Sequence, residues 1–154
     1  MPLTPGFTHA AVWNGVAPAA TDLQPAAGYL SSIAFAVANS QQAGYGVTTP
    51  DQGGAGHAML WTGTAASAVD LHPAGYTLSI ALGTNGIQQV GEADDAGFPR
   101  HKHAIVWSGS AASAVDLNQF LPATITDAQA MAIDASGNIV GYAGGHAYMW
   151  VPIR

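Results

Sequence analysis

A strand signature, His-Ala-x-x-Trp, is written four times in this chain and constrains its fold more than any other feature. The copies are His9-Ala10-Ala11-Val12-Trp13, His57-Ala58-Met59-Leu60-Trp61, His103-Ala104-Ile105-Val106-Trp107 and His146-Ala147-Tyr148-Met149-Trp150, set 48, 46 and 43 residues apart. A period of this length marks a repeat architecture, in which a unit buries its apolar surface against its neighbours rather than within itself. The first three copies are followed by Gly15, Gly63 and Gly109, then by Asp22-Leu23, Asp70-Leu71 and Asp116-Leu117, each Asp nine residues after its Trp.

Small apolar stretches come next: Ser32-Ile33-Ala34-Phe35-Ala36-Val37, Ser79-Ile80-Ala81-Leu82 and Ala130-Met131-Ala132-Ile133. Turns at Asn39, Asn85-Gly86 and Asp134-Ala135-Ser136-Gly137 then lead into strands holding Gly44-Tyr45-Gly46, Val90-Gly91-Glu92 and Val140-Gly141-Tyr142. Asn-Gly and Ser-Gly supply the positive φ of tight hairpins. Each unit therefore reads as four short strands, with units over 9–56, 57–102 and 103–145, a closing strand over 146–151, and a single repeat domain over 1–154. Long windows of 3.6-residue periodicity are lacking, and 19 Gly and 9 Pro interrupt the chain too often for long helices.

Within the first strand, His and Trp sit four residues apart and share a face, while Ala58 and Leu60 make the opposite face apolar as well. A strand apolar on both sides is buried on both sides. Stacked, twisted sheets provide that environment, so the expected class is all-β, with propeller-like four-strand units, three plus one extra strand.

The pattern His-Ala-x-x-Trp, Gly, Asp-Leu, Ser-x-Ala-x-x-x-Asn and Gln-x-Val-Gly resembles the HAF repeat over nearly the whole chain, His9 to Trp150. It departs from that repeat at Ala11, Met59, Ile105 and Tyr148, where an aromatic third residue is usual, and at Ala130, where the other units have Ser. The resemblance implies a propeller-like β repeat of extracellular or cell-envelope origin, and it implies no particular reaction.

Composition narrows the partners. With three Lys and Arg against nine Asp and Glu, the chain cannot build the basic surface that displaces counterions from nucleic acid, or that holds an anionic membrane. No apolar run approaches the length of a membrane span, and Met1-Pro2-Leu3-Thr4-Pro5-Gly6 shows no signal peptide. The absence of cysteine removes disulfides, thiol nucleophiles and Cys-based zinc sites. Four first strands against three of each other kind suggest that one chain does not close a ring alone, so a homodimer or other homo-oligomer is expected. A closed threefold β-trefoil is the alternative.

Chemistry has three candidate seats. His9, His57, His103 and His146 hold equivalent positions and would converge on a divalent metal such as Zn if the repeats form a ring. Equally, each would be a structural clasp partnered by Asp22, Asp70 or Asp116. The segment 92–103 breaks the repeat and concentrates charge: Glu92, Asp94, Asp95 and His101 are the catalytic candidates there, as metal ligands or as a general base with its orienter. The tryptophans read as core, leaving Tyr29, Tyr45, Tyr76, Phe98 and Arg100 as candidates for ligand contact. Two functions fit: a non-catalytic binding module presenting loops to a glycan or protein, or a metal-dependent hydrolase using the histidines and the 92–103 segment.

Overall fold

The computed structural model describes residues 7–16, 19–48 and 56–153. Residues 1–6, read above for a signal peptide, and the loop residues 49–55 lie outside them. The described chain is almost entirely β, in four small antiparallel sheets that stay open. A β-trefoil closes on a barrel, and these sheets do not.

Sheet A holds β1 (Ala11–Val12) and β2 (Thr21–Asp22). Sheet B runs β3 (Ser31–Ala38), β4 (Gln41–Val47), β5 (Gly56–Trp61) and β6 (Val69–Asp70). Sheet C runs β7 (Leu78–Thr84), β8 (Gln89–Asp94), β9 (Lys102–Trp107) and β10 (Val115–Asp116). Sheet D has β11 (Ala128–Ile133), β12 (Ile139–Ala143) and β13 (His146–Trp150). The sheets are thus offset from the sequence repeat by two strands: sheets B and C each join the last two strands of one unit to the first two of the next, and sheet D joins the last two of unit 3 to the closing strand. The closing strand, expected to be spare, pairs along its length with β12. The Ala-rich pieces form single 3-10 turns, Ala65–Ser67 and Ala111–Ser113.

The first strands are buried on both faces in the middle of the stack. Met59 and Trp61 of β5 pack against Ala10 and Leu23 of the sheet A region. Ala58 and Leu60, on the other face, pack with Ile105 and Trp107 of β9. Ala104 of β9 in turn meets Ala128, Ala130 and Ile139 of sheet D. Trp61 and Trp107 are fully buried, and truncating a ring in such a place costs about 3–5 kcal/mol. Not every tryptophan is core, however. Trp150 is half-buried and Trp13 is 67% exposed, because no sheet lies on its face among the described residues.

A bulge recurs in the leading strand of each full hairpin, at Ala34/Ala36, Ala81/Gly83 and Ala130/Ala132. Opposite it stand Gly44, Gly91 and Gly141, where an added Cβ would sit 1.9 Å from the carbonyl oxygen of Ile33, Ile80 or Gln129. The glycine is required by this close approach of two backbones, not by its own dihedral angles. The strand pairing also sets the true register: Ala34, Ala81 and Ala130 stand opposite Gly44, Gly91 and Gly141, so the residue standing where the other units have Ser is Ala128 and not Ala130.

That substitution is compensated. Ser32 Oγ accepts the N–H of Ala10 (3.1 Å) and Ser79 Oγ that of Ala58 (2.9 Å), whereas the equivalent N–H of Ala104 goes to Asn118 Oδ1 (3.0 Å). A second fastener behaves the same way. Buried Gln42 and Gln89 accept the N–H groups of Gly63 (2.8 Å) and Gly109 (3.0 Å). In sheet D the acceptor is replaced by Ile139 and the donor by Pro152, which has no N–H, so neither is left buried and unpaired.

Gly91→Ala should lower stability by about 2 kcal/mol or more, since it must push two strands apart. Gly63→Ala, at φ +85° with open space around it, should cost only about 1 kcal/mol. Denaturant midpoints of the two variants, measured side by side, check the ranking. Asn118→Ala should cost about 1–3 kcal/mol by stranding the buried Ala104 N–H, and adding Ala128→Ser should recover part of that loss. A double-mutant cycle reads the recovery.

Candidate functional site

Each complete His-to-Asp segment ties its first strand to its second through one carboxylate. His9, His57 and His103 donate from Nδ1 to Oδ2 of Asp22 (2.8 Å), Asp70 (2.7 Å) and Asp116 (2.7 Å). The other oxygen of each Asp accepts the backbone N–H two residues on, at Gln24, His72 and Asn118, all at 2.8 Å. His146 is exposed and makes no such bond. His9, His57 and His103 are therefore clasps, each engaged by its own aspartate. Among the described residues, no group of three or more His, Asp or Glu side chains is placed to hold a metal ion.

Tyrosines from the preceding segment complete two of these clasps. The Tyr29 hydroxyl donates to Asp70 (2.8 Å) and that of Tyr76 to Asp116 (3.3 Å), and their rings meet His57 and His103 edge-on. His72, which carried no motif, stacks on His57 with centroids 4.1 Å apart and bonds Ser79 Oγ (2.8 Å). Burial alone would push the Asp70 carboxyl up, but the bonds from His57, the His72 N–H and Tyr29 outweigh it and hold the group below the ordinary Asp value. Burial and the facing Asp116 charge push the Tyr76 hydroxyl up to about 12.

The charged segment divides into a strand and a loop. Glu92 lies in β8 and is buried, accepting from Lys102 Nζ (2.6 Å) on one oxygen and from Gln129 Nε2 on the other. It ties sheet C to sheet D. Asp94 ends β8 with a buried Oδ1 that has no partner, and burial pushes its carboxyl up. Asp95 anchors the loop: its Oδ1 accepts the N–H groups of Gly97 and His101, both at 3.0 Å. His101 bonds Asp127 Oδ2 (3.3 Å), and Asp127 also accepts the Lys102 N–H (3.0 Å). Asp95 Oδ2 lies 3.7 Å from His103 Nε2, so the loop base abuts one clasp. At the tip, Phe98 is fully exposed and Arg100 is exposed as well.

Of the residues expected to contact a ligand, only Phe98 and Arg100 stand free at the surface together. Tyr45 is stacked on Phe35 (5.9 Å between centroids) and Tyr76 is held by its Asp. The residues that sequence alone did not single out are His72, Asp127 and Gln129. The partners of Asp127 and Gln129 are distant in sequence, and those of His72, though near, share no motif spacing with it.

An apolar groove of about 620 Å³ opens between sheets C and D, lined by Val106, Val115, Leu117, Ile139, Met149 and Trp150, among others. At the equivalent place between sheets B and C, Ala114, just after the 3-10 turn, packs onto the core. Val151, Pro152 and Ile153, which follow Trp150, line the groove instead of filling it. Among the described residues, no titratable side chain is in its walls. The chain matches no known protein family, curated protein or solved structure.

Because the Asp22 and Asp70 carboxyls are held below their ordinary value when folded, the stability they confer is present above that value and lost as the pH falls through the folded one. Thermal midpoints should therefore drop on acidification below the ordinary Asp range. The drop should be shallower in Asp70→Asn than in the parent, which a pH series of melting curves checks.

Proposed function

We propose that the chain is a non-catalytic binding module of HAF type, built from propeller-like repeats and working outside the cell or in its envelope, that presents the loop 95–101 to a glycan or protein. The observation that carries this reading is the loop itself. An exposed aromatic ring and an exposed guanidinium stand at the tip of a segment whose base is fixed by Asp95. A preorganised base spares the cost of ordering a loop on binding, and an aromatic face with a planar donor fork suits sugar rings or a polar peptide surface. The propeller-like arrangement is supported by the repeated packing of one sheet on the next and by the sheet order, in which strands follow the chain. The likeness in motif from His9 to Trp150 supports the HAF assignment, and with it the extracellular or envelope setting.

Glycan-array binding tests the reading. Retained glycans should be lost from Phe98→Ala by about tenfold or more in affinity, equivalent to about 1.4 kcal/mol. Arg100→Ala should weaken binding in the same direction. Binding indifferent to both substitutions would take the loop out of the site.

A further inference from the structure

We propose that two copies of this chain associate head to tail, the outer face of sheet D in one copy packing on the outer face of sheet A in the next. The three contacts between neighbouring sheets within the chain are one interface repeated. On the forward side of each sheet stand Ala10 and Val12, then Ala58 and Leu60, then Ala104 and Val106. On the rear side of the sheet they meet stand Met59 and Trp61, then Ile105 and Trp107, then Tyr148 and Trp150. Every internal sheet thus buries one face of each kind.

Among the described residues, the stack leaves one of each kind uncovered. Sheet A turns Ala10 and Val12 inward, so Ala11 and Trp13 form its free rear face. Sheet D turns Tyr148, Trp150, Ile139 and Ala143 inward, so Met149, Val140 and Tyr142 form its free forward face. Trp13 is 67% exposed. Met149, on the edge strand where it also borders the groove between sheets C and D, is 61% exposed, and none of these side chains is charged. The sheet A face also carries Asp22, opposite Ala11, with its partner His9, but the equivalent pairs His57–Asp70 and His103–Asp116 share the rear faces already packed within the chain and do not bar that contact. A face that has its complement three times over inside the chain finds that same complement on a second copy. Such a contact joins unlike surfaces, so it closes only as a ring of copies or continues as a series.

Sedimentation velocity and native mass spectrometry of the parent chain, Trp13→Asp and Met149→Asp test the arrangement. The parent should sediment as two or more copies. Each variant alone should be monomeric with an unchanged circular dichroism spectrum, because each side chain is largely exposed within one copy. If Met149→Asp loses its spectrum, Val140→Asp takes its place. A mixture of the rear-face and forward-face variants should regain a heterodimer, because one intact pair of faces survives between them. A parent chain that is monomeric at every concentration, an assembly that persists in either variant, or a mixture that stays monomeric would each overturn the proposal.

Discussion

The constraint on which the rest depends is the burial of the His-Ala-x-x-Trp strand on both of its faces. A strand apolar on one side can be satisfied by a single layer. One that carries Ala58 and Leu60 on one side and Met59 and Trp61 on the other needs a sheet on each. Stacking is then the only arrangement that removes both surfaces from water, at about 25 cal/mol per Å² of apolar area. The indole N–H groups of Trp61, Trp107 and Trp150 find no partner, so these rings are held by packing rather than by hydrogen bonds.

Around that apolar stack the polar groups act as fasteners, and they change in matched sets. The His–Asp clasp, the buried Gln that accepts a Gly N–H, and the Ser that accepts an Ala N–H each recur in two or three copies. Where one buried partner is lost, the other is lost or replaced, whereas His146, kept without an aspartate, is exposed. Asn118 substitutes for a missing Ser, and Ile139 appears with Pro152. The reason is energetic: a buried donor left alone costs more than the bond was worth, whereas removing both partners is nearly neutral.

Much of this was legible in the sequence. The all-β class, the period, the doubly buried strand, the turn glycines and the Asp partners of the repeated histidines all follow from spacing and alternation. What was not legible depended on register. Ala130 is matched to Ser32 and Ser79 by its apolar neighbours, but the strand pairing matches Ala128, because the segments on either side of this strand are longer than in the other units. Such lengthening leaves no composition signal. The burial of Glu92 was hidden in the same way, because its partners Lys102 and Gln129 lie 10 and 37 residues away. The exposure of Trp13, identical in motif to Trp61 and Trp107, follows from its place in the stack and not from its neighbours in sequence.

The two-strand offset between sheet and sequence repeat has a practical consequence for anyone cutting this chain into parts. A fragment bounded by the motif, 57–102 for example, would carry the outer half of one sheet and the inner half of the next, and could complete neither. A fragment over 31–70 or 78–116 holds a whole four-stranded hydrogen-bonded set. Between Leu71 and Thr77 only Ala74 and Gly75 are exposed and outside the clasps, so a graft or cut belongs there, with His72 and Tyr76 kept. During synthesis, too, a sheet would remain half-paired until the following motif had emerged.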